Sequence, residues 1–104
     1  MCLRPLLFGY LRASPGRAAA DIAAFLPALA AYAETEGFTV GGVFVEPPGA
    51  GGAAFGALLA TLRRYEGRAV AVPAPGHLPA GICLDREAGA RVVVVPPARR
   101  SRTR

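Results

Sequence analysis

Two side chains that suit an anion, separated by a single residue, stand near the start of this sequence. Arg12 and Ser14 follow a short apolar run and precede a segment with helical periodicity. Residues two apart on an extended segment project to the same side, so we expect the guanidinium and the hydroxyl to lie together. The carboxyl end of a parallel strand, followed by a helix, is a position that anions and ligands favour in α/β folds.

Both residues also have a simpler interpretation. Ser14 precedes Pro15, and a Ser-Pro pair at the start of a helix is a common N-capping signature. Arg12 can equally pair with a carboxylate on the surface. The Ser-Pro pair favours the capping role for Ser14 over a reactive one.

The positive charge is concentrated at the end of the chain. The net charge is +5, and all twelve basic residues are arginines. Up to Val95 there are eight arginines and seven carboxylates, a net of +1. We therefore predict a nearly neutral domain over residues 1–96 and a basic, disordered tail over residues 97–104. Its arginines can bind DNA phosphates without sequence preference, or simply keep the chain end solvated; they are Arg99, Arg100, Arg102 and Arg104.

Other features exclude several classes of protein. Cys2 and Cys83 are far apart, and a single histidine cannot complete a standard zinc site with them, so we expect no metal and no cofactor. The apolar run Leu6–Leu11 is too short for a signal peptide or for the roughly 20 residues of a membrane span. We expect a cytoplasmic protein without membrane contact. Arginine without lysine, with abundant Ala, Gly and Pro, is typical of a GC-rich bacterial genome.

Strand and helix patterns alternate along the chain. Short apolar runs predict strands, and apolar residues at helical spacing predict helices. Gly37 is expected to end the first helix, and the last strand is apolar enough to be buried on both faces. Such alternation implies a parallel sheet covered by helices in one α/β domain. The predicted strands are Leu6–Leu11, Thr39–Val45, Ala69–Val72 and Arg91–Val95, and the predicted helices are 17–36, 53–66 and 82–88.

One segment resembles a known family. Gly9-Tyr10-Leu11-Arg12-Ala13-Ser14 is similar to the first-strand signature of serine site-specific recombinases, the resolvases and invertases. The order and spacing of later elements extend the resemblance over residues 6–95, with Glu46 and Phe55–Leu59 in matching places. It implies a three-layer domain with a mostly parallel sheet of about four strands in the order 2-1-3-4. It also implies that Ser14 is the nucleophile that forms a phosphoserine link to DNA, and that Arg12 stabilises the phosphate.

The sequence departs from that family at several functional positions. The family has an arginine after the second strand, yet no arginine occurs between Arg17 and Arg63. It has an Asp-Arg pair and a leucine after the third strand, where this chain has Gly76-His77-Leu78. The long helix that dimerises and crosses DNA does not follow the fourth strand. Since one lost charge-stabilising donor costs about 10²–10³ in rate, we expect catalysis by this chain alone to be impaired.

Three functions stay open at this point. The first is a DNA-associated, recombinase-like domain that has lost most of its catalytic residues. The second is a non-catalytic interaction module, acting as a homodimer or with a fuller recombinase-like partner and without a role on DNA. The third is a small-molecule site at the strand ends, although the glycine-rich loop 47–52 has no phosphate-binding lysine and no fingerprint spacing.

Overall fold

Within the described residues, four strands and three α-helices alternate as the sequence pattern predicts. The computed structural model describes residues 4–49, 51–65, 69–78 and 84–97. In chain order the elements are β1 (Leu6–Arg12), α1 (Ala18–Glu36), β2 (Thr39–Glu46), α2 (Ala53–Tyr65), β3 (Ala69–Val72), a 3₁₀ helix (Pro75–His77), α3 (Leu84–Ala88) and β4 (Arg91–Val94).

The strands form one parallel sheet in the order β2-β1-β3-β4. Both the parallel arrangement and the predicted strand order are confirmed. Arg12, the last residue of β1, is paired with Glu46, the last residue of β2. Because parallel strands end at the same edge of a sheet, the segments that follow β1, β2, β3 and β4 meet along this carboxyl edge.

The helices cover the two faces of the sheet. Alternate residues of β1 point to opposite faces, so Leu7 and Leu11 pack under α1 while Phe8 and Tyr10 pack under α2 and α3. Two hydrophobic clusters therefore stabilise the domain, one on each side of the sheet. Both are dominated by fully buried side chains, which include Phe25, Leu29, Leu58, Leu62 and Leu84.

A glycine in β1 lets α1 approach the sheet closely. A Cβ atom built on Gly9 would lie 2.9 Å from Cδ2 of Leu29 and 3.1 Å from Cε2 of Phe25. Both helix residues are fully buried, so neither has free space to withdraw into. The missing side chain at Gly9 is therefore part of the packing between β1 and α1.

The long helix ends where the sequence predicts. Gly37 has the left-handed conformation, with φ of 80°, and its N–H bonds to the carbonyl of Ala33. Pro27 lies on the exposed side of α1, and the helix continues through it. Among the helices in the described residues, none is both long enough and apolar enough to cross a membrane.

The prediction that the last strand is buried on both faces is wrong. Val92 and Val94 are 39% and 47% exposed. β4 is the end strand of the sheet, and α3 is only five residues long, too short to cover the face on which these valines lie. The apolar composition of β4 reflects its β propensity rather than full burial.

Candidate functional site

Arg12 and Ser14 lie at the carboxyl edge of the sheet. Both residues are exposed, and Ala13 between them is buried. The N–H of Ala13 donates to the carbonyl oxygen of Glu46 at 2.9 Å, which extends the pairing of β1 and β2 past the end of the strand. The backbone that carries Ser14 is therefore fixed to the sheet.

Ser14 is not the N-cap of α1, so the capping interpretation is wrong. The N-cap is Arg17, which makes no side-chain capping bond. A turn separates Ser14 from the helix: Gly16 has a φ of +73°, and the N–H of Arg17 donates to the carbonyl oxygen of Ser14 at 3.0 Å. The helix contacts Ser14 through the backbone: the N–H of Ser14 donates to Oδ2 of Asp21 at 3.0 Å.

A cleft of about 260 Å³ opens beside Ser14, between α1 and the segments that follow β3 and β4. Its apolar wall comes from β1, α1 and the segments after β3 and β4, and its polar groups are a hydroxyl, a guanidinium, a carboxylate and an imidazole. Arg12 is not among the described lining residues, so of the two residues predicted to be catalytic Ser14 alone faces the described cleft. The lining residues are Leu11, Ser14, Arg17, Ala20, Asp21, Ala24, Pro73, His77 and Pro97.

His77 stands in the sequence where the resemblance places an Asp-Arg pair, and the structure brings it to this cleft. It ends the 3₁₀ helix after β3, and its Nδ1 accepts a hydrogen bond from the backbone N–H of Arg12 at 2.9 Å. Burial and the nearby Arg12 guanidinium lower the pKa of His77 below its ordinary 6.5, while the Asp21 carboxylate acts in the opposite direction. The ring is therefore neutral at pH 7, with its proton on Nε2.

A serine, a histidine and an aspartate around one cleft are the residue types of a hydrolase triad, but their hydrogen bonds exclude that chemistry here. In a triad, Nδ1 of the histidine donates its proton to the aspartate, and Nε2 accepts the serine proton. Here Nδ1 of His77 accepts from Arg12, and Asp21 accepts from the amide of Ser14. The neutral ring therefore presents an N–H donor at Nε2 instead of a base.

Glu46, which fits the recombinase layout, has a structural role. Its side chain is only 3% exposed. Oε1 accepts from the Tyr10 hydroxyl at 3.2 Å and from the N–H of Phe55 at 3.1 Å, and Oε2 accepts from the N–H of Ala54 at 3.4 Å. Burial, together with the charge and hydrogen bond of Glu46, raises the pKa of Tyr10 to about 12. Glu46 thus fixes the start of α2 to the end of β2.

Several predicted site residues lie outside the described part of the chain. They are the tail arginines Arg99, Arg100, Arg102 and Arg104; Cys2 and Cys83, for which no site was predicted, also lie outside the described residues. Over residues 4–49, 51–65, 69–78 and 84–97, no group of three His, Cys, Asp or Glu residues is placed to hold a metal ion.

Comparison of the chain with protein-family models, curated proteins and solved structures returns no significant match. The resemblance to serine recombinases therefore depends on residues 9–14 and on the order and spacing of the later elements. The fold and the cleft beside Ser14 are the observations from which a function is inferred.

Proposed function

We propose that this chain is a cytoplasmic, serine recombinase-like domain that binds DNA phosphates at the carboxyl edge of its sheet and is impaired in strand cleavage. The cleft beside Ser14 contacts the phosphate backbone, and the C-terminal arginines add attraction that is independent of sequence. DNA is the partner; no cofactor is required for this binding.

The observation that carries the proposal is the arrangement of groups at the strand end. Ser14 and Arg17 line the cleft together with His77, whose neutral ring carries an N–H donor at Nε2. The Arg12 guanidinium is near enough to His77 to influence its pKa. Within the cleft the Arg17 guanidinium and the Asp21 carboxylate balance, and the Arg12 guanidinium beside the cleft leaves one net positive charge among these described groups. A hydroxyl, N–H donors and positive charge together suit a phosphodiester.

The same groups do not suit strand cleavage. A serine nucleophile needs its proton removed and the phosphorane charge neutralised by several guanidiniums. His77 offers a donor rather than a base, and it occupies the segment where the resemblance would place an Asp-Arg pair. Binding without cleavage is the outcome that these residues favour.

The test is fluorescence anisotropy on a labelled DNA duplex, at low and near-physiological salt. A cleft variant, R12Q/R17Q, is compared with R64Q/R91Q, which removes the same charge. Arg64 lies in the last turn of α2 and Arg91 begins β4, so this control acts at the amino edge of the sheet. A tail variant replaces Arg99, Arg100, Arg102 and Arg104 with Gln. These arginines are substituted and the chain is not shortened, so that Pro97, which lines the cleft, keeps its place.

We expect the cleft variant to bind more weakly than its control. Loss of two phosphate contacts lowers the slope of log K against log salt by roughly 1.8, at about 0.9 per contact. We also expect no covalent protein–DNA adduct on a denaturing gel. If only the tail variant loses affinity, the cleft is not the DNA contact; if no variant and no wild-type protein binds DNA at low salt, the proposal is wrong.

A second function is favoured by the edge of the sheet opposite β2. Val92 and Val94 are exposed on β4, whose outer backbone edge has no strand beside it in the described sheet. Such an edge suits an interaction module that pairs with another strand. Light scattering at several concentrations tests it: wild-type protein would self-associate and a V94K variant would not, whereas a monomer at every concentration excludes the homodimer.

A further inference from the structure

The hydrogen bond between Arg12 and His77 requires an unprotonated imidazole nitrogen. The backbone N–H of Arg12 is the donor, so Nδ1 of His77 must offer a lone pair. A protonated ring has N–H groups at both nitrogens and cannot accept this bond. Protonation therefore releases the 3₁₀ helix from the end of β1.

Among the described residues, three charged side chains surround His77. Arg12 faces it from β1, and Asp21 and Arg17 line the same cleft from α1. Apart from His77, the described residues that line the cleft after β3 and β4 are apolar; they are Pro73 and Pro97. The charge of the cleft is therefore small, and one added proton changes it substantially.

We propose that His77 is a proton-operated latch that controls the affinity of the cleft for DNA phosphates. In the neutral state the ring holds the strand end that carries Arg12 and Ser14. In the protonated state it releases the amide of Arg12 and adds a cation to the cleft, so DNA binds more tightly as the pH falls. This inference rests on the proposed function, since the phosphodiester is the ligand that senses the added charge.

The added charge outweighs the lost hydrogen bond. Arg12 is exposed, so water can accept from its released N–H. The imidazolium, by contrast, lines the cleft and gains an anionic partner when a phosphate enters. By linkage, bound DNA raises the pKa of His77, and a rise of one pKa unit corresponds to about a tenfold increase in affinity at low pH.

The tautomer and the pKa of His77 can be measured directly in the wild-type protein. His77 is the single histidine of the chain, so its imidazole gives one set of ¹⁵N–¹H correlations. We expect the Nε2–H tautomer at neutral pH, a pKa below 6.5 in the free protein, and a higher pKa after addition of duplex DNA at low salt. An Nδ1–H tautomer, or a pKa that DNA leaves unchanged, overturns the proposal.

Two variants separate the latch from DNA binding in general. H77N keeps an acceptor close to the position of Nδ1 and does not titrate, whereas H77Q places its acceptor further along the side chain. Anisotropy between about pH 8 and about pH 5.5 should show affinity rising up to about tenfold for the wild type and staying level for H77N. H77Q should be level too, and weaker than H77N at neutral pH.

The outcomes distinguish the two proposals. If wild type and H77N bind DNA with the same pH profile, the latch is wrong and the DNA function survives. If neither protein binds DNA at any pH, both are wrong, even where the tautomer agrees. Other groups that titrate in this range are common to both proteins, so the difference between them reports His77 alone.

Discussion

The backbone N–H of Arg12 and Nδ1 of His77 lie 2.9 Å apart and join the end of β1 to a 3₁₀ helix 65 residues further along the chain. This bond fixes the tautomer of the ring and brings a loop side chain to the cleft beside Ser14. It also makes the ring a sensor of pH, because the bond exists only in the neutral form.

Folding stability should therefore depend on the ionisation of His77. Its pKa is lowered in the folded protein, so the unfolded chain binds more protons between the folded pKa and 6.5. The contribution of the neutral ring is fully present above pH 6.5 and is lost as the pH falls through 6.5 toward the folded pKa. Urea denaturation over this range measures it. H77N should lack this component, and equal pH dependence in both proteins would contradict the assignment.

Tyr10→Phe should destabilise the protein by about 1.5–3 kcal/mol, the usual range for a hydrogen bond to a charged group. The hydroxyl of Tyr10 donates to Glu46, and that carboxylate keeps only backbone partners at the start of α2 when the hydroxyl is removed. Tyr65→Phe is the matched control: Tyr65 is 56% exposed, and we expect less than about 0.5 kcal/mol. Urea denaturation measures both, and equal losses would show that the Tyr10 hydroxyl contributes nothing.

The Tyr10–Glu46 pair should also make the free energy of unfolding depend on pH in the alkaline range. The pKa of Tyr10 is raised from 10.0 to about 12, so the folded protein retains a proton that the unfolded chain releases. The contribution of the neutral phenol is present below pH 10 and is lost as the pH rises through 10 toward 12. Ultraviolet titration of tyrosinate should show a component near 12 in the wild type that Tyr10→Phe lacks; a wild-type titration without it would contradict the buried pair.

Local patterns in the sequence were sufficient to predict most elements. β3 has the predicted bounds, Ala69–Val72, and Gly37 ends α1, because a short apolar run and a glycine after an amphipathic helix act over a few residues. The strand order was also predicted, through the resemblance of the β1 segment and not through local pattern.

Features set by tertiary position were not predicted. The expected order placed the fourth strand at an edge, but the exposure of Val92 and Val94 also depends on how little of that edge the helices cover, which the composition of β4 does not encode. His77 reaches Arg12 only because the turn after β3 folds back across the strand end. Ser14 failed as an N-cap because Gly16 adopts a positive φ and delays the start of α1, a conformation that glycine permits but does not require.

Two glycine substitutions should have opposite effects. In Gly9→Ala, the new methyl group meets Leu29 at 2.9 Å and Phe25 at 3.1 Å, so we expect a loss of about 1–3 kcal/mol from overpacking. In Gly56→Ala, the methyl group enters open space on α2, so we expect a gain of about 0.5–1 kcal/mol from helix propensity. Thermal unfolding compares the two. A stabilised Gly9→Ala protein would show that α1 can move away from β1 without loss.

Asp21→Asn should strengthen DNA binding if the cleft is the contact surface. Asp21 is the negative charge among the described lining residues, and a carboxylate repels a phosphate. Asparagine retains an oxygen that can accept from the amide of Ser14, so the turn before α1 is preserved. For a surface charge, an effect of roughly 0.3–1 kcal/mol corresponds to about a two- to fivefold gain in affinity, which added salt should reduce.

Glu34→Gln is the control for this prediction, because it removes the same charge from an exposed position near the other end of α1. Anisotropy on duplex DNA at moderate salt, about 0.1 M, compares the two variants. A gain confined to Asp21→Asn places the phosphate at the cleft, since screening leaves little effect of a charge more than about 10 Å away at moderate salt. Equal gains in both variants would mean that DNA responds to the net charge of the protein, with the C-terminal arginines and not the cleft as the main contact.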